Sequence, residues 1–133
     1  MRAEGINVKN EISPADWFLN NQDDVRSSYF LEDVATEFDI QGLEIDYTCL
    51  AWDINLFFEN GWVFQNFKGS KWQNINQDSA KNYLLNSYRV LLTRARQGMI
   101  IYVPEVDNSD WTRPSEKYNS TYEYLKSCGL NLL

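Results

Sequence analysis

Histidine is absent from the 133-residue chain, which by counting alone excludes a Ser-His-Asp triad, a Cys-His dyad and every zinc site that uses imidazole. Cysteine is nearly absent: Cys49 and Cys128 stand far apart, form no CxxC and follow no secretory leader, so they read as reduced, buried thiols of a cytoplasmic protein. No GxxxxGK[ST] occurs anywhere, Gly69-Ser70-Lys71 being a fragment of the wrong shape. The chain therefore has no loop of its own to cradle phosphates and no Ser or Thr beside one to hold magnesium. Its longest apolar stretches, such as Met99 to Val103, fall far short of the roughly 18 residues of a membrane span, and no membrane partner is expected. There is no internal repeat and no linker long enough to divide the chain.

What is present is a core. A mass of 15.6 kDa fits one domain of roughly 100 to 200 residues, and 44% hydrophobic with 15% aromatic residues excludes a collagenous, low-complexity or disordered chain. Five Trp, eight Tyr and seven Phe bury much area, but Trp N–H and Tyr O–H need hydrogen-bond partners inside. Charge is more informative by region than in total. Of the net charge of -7, the window from Asp23 to Asp46 carries eight acids against Arg26 alone, whereas Ser79 to Pro104 carries Lys81, Arg89, Arg94 and Arg96 with no acid. Such a surface repels a nucleic-acid backbone over most of its area, so any contact of that kind is local or depends on a partner.

Along the chain, Ser13-Pro14-Ala15-Asp16-Trp17-Phe18-Leu19 predicts a short helix with Ser as cap, Pro in the first turn and an acid near the N-terminus. Glu32 to Phe38 reads as a strand with Val34, Thr36 and Phe38 on one face, followed at once by a turn through Ile40-Gln41-Gly42-Leu43-Glu44. The apolar, β-branched run Tyr47 to Trp52 reads as a central strand buried on both faces. Asn60-Gly61 between aromatic runs predicts a hairpin, with Trp72 near the far end of an excursion spanning about Leu56 to Ile75. Asp78 is the expected cap of a long helix, because Ala80, Tyr83, Leu84, Ser87, Tyr88, Leu91, Leu92 and Ala95 recur at spacings of three and four, with Gly98 as its stop. Met99 to Val103 is a second buried strand, and a last helix runs from about Ser120 to Cys128, closed by Gly129. That order is α/β: a small, mainly parallel sheet of three buried strands with flanking helices, right-handed crossovers and an aromatic hairpin insertion. Three strands are few, so an open edge is left for another strand or a second copy.

Two segments carry chemistry. One is Thr36-Glu37-Phe38-Asp39-Ile40-Gln41-Gly42-Leu43-Glu44-Ile45, and the other Val90-Leu91-Leu92-Thr93-Arg94-Ala95-Arg96-Gln97-Gly98. They resemble motifs V and VI of superfamily 1 helicases, approximately T-x-H-x-x-[KQ]-G-x-E-F and [VL]-x-[LV]-T-R-A-[RK]. With Trp17-Phe18-Leu19 and Asp24-Val25-Arg26-Ser27-Ser28, nearly the whole chain resembles the C-terminal part of the Schlafen-related DNA/RNA helicase domain family, long catalogued in bacteria as a domain of unknown function. The resemblance implies a partial RecA-like, three-layer fold: the C-terminal portion of the second RecA-like domain of a P-loop NTPase, the first RecA-like domain being absent.

It also implies roles. Charge developing on a transferred phosphoryl group is stabilised by a guanidinium, worth roughly 10³ to 10⁵ in rate, and Arg94 is the candidate arginine finger, its stem on the border of the helix's apolar stripe. Gly42 and Glu44 fall where motif V meets the nucleotide, and Thr36, Phe38 and Gln41 match positions near the nucleic-acid strand. Phe38 departs from the motif, which often has His there; it stacks on a base or is a strand-end core residue. Glu44 faces the nucleotide sugar or pairs with Arg89 or Arg94. Arg89 and Arg96, seven apart on one helix face, meet phosphate or the acidic segment. The acids Glu37, Asp39, Glu44 and Asp46 also raise a hydrolytic carboxylate pair, though acids around a turn are usually solvated. Trp52, Trp62 and Trp72 form either a ligand platform or core packing.

The expectation is thus a helicase-like ATPase module that uses ATP and magnesium only in the context of a longer assembly and is not catalytic alone. The competing class is an acidic interaction or regulatory module that docks a basic partner through Asp23 to Asp46.

Overall fold

The computed structural model describes residues 12–106 and 109–133. Helix α1 spans Pro14–Leu19, with the Ser13 hydroxyl accepting from the Asp16 N–H at the cap, and a 3₁₀ turn follows at Ser28–Phe30. Then come β1 Ile45–Ala51, β2 Leu56–Phe58, β3 Trp62–Lys68, β4 Lys71–Asn74, α2 Asp78–Leu92, β5 Ala95–Tyr102 and α3 Ser115–Ser127. The architecture is α/β with two small sheets: a parallel pair β1-β5 and an antiparallel trio β2-β3-β4.

The trio grows from local chemistry. Asn60 (φ 55°) and Gly61 (φ 151°) take the positive φ values of a tight connection, so that Phe58 pairs with Trp62 and Leu56 with Phe64. The parallel pair cannot form locally, since its strands run the same way and need a long crossover; the trio and α2 together supply it. The core draws on both sheets and on α2 and α3. Leu50, Trp52, Leu56 and Tyr88 are buried together, with Trp62, Phe64, Leu84, Leu91, Ile101, Val103 and Leu125 packed around them. Trp52 donates its indole N–H to the Leu56 carbonyl at 2.7 Å and sits 4.6 Å, ring to ring, from Tyr88. Trp62 stacks on Trp52, and Trp72 donates to the Thr112 carbonyl at 2.7 Å. Of the two readings of these tryptophans, packing is the one found.

Several sequence expectations need correction. The parallel sheet has two strands, β1 and β5, where three were expected, and the antiparallel trio is the expected aromatic hairpin excursion. Glu32 to Phe38 forms no strand. The Asp39 carboxylate takes both the N–H and the hydroxyl of Thr36, at 2.8 and 2.7 Å, and closes a turn that competes with extended pairing. The run from Tyr47 to Trp52 is not buried on both faces: Leu50 and Trp52 are buried, but Tyr47 is 70% exposed. A helix layer lies on one face of this ladder only among the described residues, so the three layers implied by the resemblance are not complete.

Helix α2 starts at Asp78 itself, with Gln77 as an N-cap that makes no side-chain bond. It ends at Leu92, six residues before the expected glycine stop. The Thr93 hydroxyl reaches the Arg89 and Val90 carbonyls, and the next residues are drawn into the ladder with β1, placing Gly98 inside β5 opposite Tyr47. Helix α3 begins at Ser115 rather than Ser120, because Pro114 supplies a fixed φ of -62° just ahead of it. Both cysteines are free, and both are exposed rather than buried.

Helix α3 closes the hairpin's outer side. Thr121 is fully buried; its hydroxyl accepts from the Phe58 N–H at 3.1 Å and donates to the Lys117 carbonyl at 2.9 Å. The Tyr124 and Phe58 rings stack at 3.9 Å. Thr121→Val keeps the shape but strands the Phe58 N–H; a loss of about 1 to 3 kcal/mol is expected in urea unfolding, with Thr121→Ser losing less.

The turn between β1 and β2 is polar and shared. The Asp53 carboxylate accepts from the Ile54 N–H at 2.8 Å and the Tyr118 hydroxyl at 3.3 Å. Burial nevertheless pushes the Asp53 carboxyl above its ordinary value, so the native state holds this proton longer than the unfolded chain does. Its contribution to stability is fully present below the unfolded value near 3.8 and declines as pH climbs through the native one. Asp53→Asn keeps an acceptor and removes the titration; its melting temperature relative to the wild type should be higher at pH 7 than at pH 4.

Candidate functional site

The two motif segments meet in space. Residues 36–43 run through successive tight turns, with Asp39 and Ile40 donating to the Thr36 carbonyl, Gln41 to that of Phe38 and Leu43 to that of Ile40. Ile40 is the buried anchor of this segment. Gly42 has φ +84° and open space where a Cβ would stand, so the position asks for glycine by conformation and not by crowding.

From there the chain enters β1, whose first residue, Ile45, donates to the Arg94 carbonyl at 2.9 Å. Ile45 pairs with Ala95 across the ladder. Arg94 therefore stands at the junction of α2 and β5, and the expectation that it rides on the border of the helix's apolar stripe is overturned. Its Nη1 donates to the Leu43 carbonyl at 3.3 Å, spanning 51 positions of sequence. Its Nε is buried without a hydrogen-bond partner, and no carboxylate lies within ion-pair distance of it among the described residues. A guanidinium held by a neutral carbonyl keeps its full charge for an anion.

The other arginines differ. Arg96 lies in β5 and reaches Glu44 at 3.7 Å, both side chains mostly in solvent; Glu44 thus pairs with neither Arg89 nor Arg94. Arg89 stays on α2, exposed, with Nη1 on the Asn86 side chain at 3.0 Å. The common helix face expected for Arg89 and Arg96 does not exist, because the helix ends between them. Arg26, by contrast, is saturated by Asp16 and Asp24, and its hydrogen bonds hold the Asp24 carboxyl down at about 2.

Thr36 is tied into its own turn by Asp39, while Gln41 is exposed. Phe38 is 64% exposed, which removes the core alternative. Its ring lies 6.5 Å from that of Tyr83 on α2, tilted by 32°. Sequence reasoning missed two participants here. Tyr83 falls on the spacing of the apolar stripe of α2 yet is more than half exposed, and nothing in a local pattern marks Leu43, which contributes only a carbonyl. Concave surface lined by Asn21, Gln22, Asp23 and Tyr29 includes none of the turn residues. No group of three or more acid or Cys side chains with metal-ligating geometry occurs among the described residues.

Because Gly42 holds the left-handed conformation that aims the Leu43 carbonyl at Arg94, Gly42→Ala should cost about 1 kcal/mol. In ¹⁵N spectra it should shift the Leu43, Ile45 and Arg94 amides while leaving those of α3 in place.

No curated protein and no solved structure matches the chain. The family model of the Schlafen group 3 DNA/RNA helicase domain does, over residues 2–105. That span contains the glycine turn, α2, Arg94 and β5, and stops before α3. The chain belongs to the Schlafen group 3 DNA/RNA helicase domain family.

Proposed function

We propose that this chain is a second-domain module of a superfamily 1 helicase-like, nucleic-acid-dependent ATPase, contributing the motif V turn and the motif VI arginine finger. The observation that carries the reading is the uncompensated Arg94 guanidinium held against the Gly42 turn by the Leu43 carbonyl. A positioned cation with no carboxylate of its own is what phosphoryl transfer asks of an interdomain arginine, since it adds stabilisation where charge develops.

In this reading ATP with magnesium is bound by a first RecA-like domain supplied by the same or another polypeptide, because these 133 residues hold no P-loop sequence. The residues of this chain fit the complementary role. Arg94 faces the phosphates, the backbone at Gly42 approaches the nucleotide, and Glu44, loosely held by Arg96, lies free to meet the sugar. Thr36, Phe38 and Gln41 sit on the segment that enters the turn, and the exposed Phe38 ring is available to stack on a base, worth roughly 1 to 3 kcal/mol. Arg89 and Arg96 are secondary phosphate contacts. Bound ATP supplies the reacting phosphoryl group; Arg94 orients it and balances its charge.

The acidic-docking reading rests on a different observation, the exposure of Asp23, Glu32, Glu44 and Asp46 within the Asp23 to Asp46 window. Salt-sensitive binding of a basic protein, unchanged by Arg94→Ala, would favour it.

The helicase-like reading expects no ATP turnover by the purified chain. When the chain is joined to a P-loop domain that completes the site, Arg94→Ala should slow turnover by about 10³ to 10⁵, with Arg89→Ala far milder. Turnover by the chain alone, or wild-type rates for Arg94→Ala in the joined protein, would refute it.

A further inference from the structure

Among the described residues, no element covers one face of the parallel ladder. Tyr47 pairs with Gly98, Cys49 with Ile100 and Ala51 with Tyr102, and residues two apart along a strand share a face. On the opposite face Leu50 and Ile101 pack with Leu84, Tyr88 and Leu91 of α2. On this one, Tyr47 is 70%, Ile100 48% and Tyr102 55% exposed, and Cys49 is open as well. Parallel ladders are found with both faces covered, and none of these three rows holds a charged side chain.

The rows have a pattern of sizes. Each sets one larger side chain beside a smaller one: Tyr47 beside Gly98, Ile100 beside Cys49, Tyr102 beside Ala51. The Tyr47 ring leans onto Gly98, where a Cβ would meet it at 3.0 Å, and its hydroxyl donates to the Gln97 side-chain oxygen at 3.2 Å. Turning a second copy over about an axis parallel to the strands lays its β5 on this β1. Ile100 then faces Cys49 of the second copy and Tyr102 faces Ala51, so that large meets small in these two rows, while the two Tyr47 rings, each lying over its own Gly98, meet each other in the third. Such a contact is isologous and closes on itself.

We propose that the Tyr47–Cys49–Ala51 and Gly98–Ile100–Tyr102 face packs against the same face of a second copy, sheet on sheet. The six positions offer on the order of 500 Å² per copy, and about 1,000 Å² in all lies at the low end for specific pairing, the range of weak, reversible contacts. The charge of -7 on each copy opposes it, and added salt strengthens it by screening. The pairing does not depend on Arg94 or on the helicase-like reading.

The test uses the two exposed cysteines as built-in reporters. Sedimentation equilibrium from roughly 1 to 200 µM chain should show the mass rising from 15.6 kDa toward about twice that value, more steeply in added salt. Over the same range alkylation of Cys49 should slow several-fold while Cys128 reacts at an unchanged rate. Tyr102→Glu, with an unaltered circular dichroism spectrum, should stay monomeric and keep both thiols reactive. A monomer at every concentration with Cys49 reactive overturns the proposal. So does a monomer with Cys49 protected throughout, which would mean that the chain covers its own face. A dimer in which Cys49 reacts as fast as in the monomer overturns it too, by moving the contact to a strand edge or another surface.

Discussion

The Tyr88 side chain joins parts of the molecule that could not stand alone. Its hydroxyl donates to the Asn55 side chain at 2.7 Å and accepts from the Asp53 N–H at 3.3 Å, while its ring packs against Trp52. Burial raises its phenol far above the ordinary value, so it stays neutral and keeps the proton it donates. Residues 52–55 connect the parallel pair to the antiparallel trio, and two or three short strands are at the limit of independent stability. A single buried tyrosine on α2 that satisfies the polar backbone of that connection and fills the space beside its tryptophan makes one core out of two sheets.

The candidate site is downstream of this joint. With α2 clamped at Tyr88, its C-terminus has a fixed exit, and Thr93 bends the chain back into the ladder at Ala95. Parallel pairing of Ile45 with Ala95 then decides which side chain stands beside the glycine turn. A shift of one residue in that register would present Thr93 or Ala95 to the Leu43 carbonyl instead of Arg94. The cation's position is therefore a consequence of helix length and strand register, not of the helix's own periodicity.

Helix α3 lies beyond residue 105, where the family match stops, yet Tyr118 and Thr121 are among its most deeply buried side chains. The Thr121 hydroxyl satisfies the outward N–H of Phe58, and the Tyr118 hydroxyl meets Asp53 at the connection. The helix thus takes the place of a fourth strand along the hairpin's edge, using side chains where a strand would use its backbone.

Local sequence determined the elements whose geometry is written in neighbouring residues. The Ser13-Pro14 helix start, the Asn60-Gly61 hairpin, the φ > 0 turn at Gly42 and the Gly129 stop each depend on a few adjacent backbone angles, and each was legible. Residue type and spacing also single out the segments 36–45 and 90–98, but not that they meet where Ile45 pairs with Ala95. Tertiary structure decided the rest. Whether residues 32–38 extend or turn depended on Asp39 winning the Thr36 N–H; where α2 ended depended on β1 being there to pair with Ala95; whether Tyr47 and Cys49 were buried depended on a layer that only α2, on one side, provides. That Arg94 keeps its charge while Arg96 shares its own with Glu44 is likewise a fact of distance between segments about fifty residues apart, and local periodicity carries no information about it.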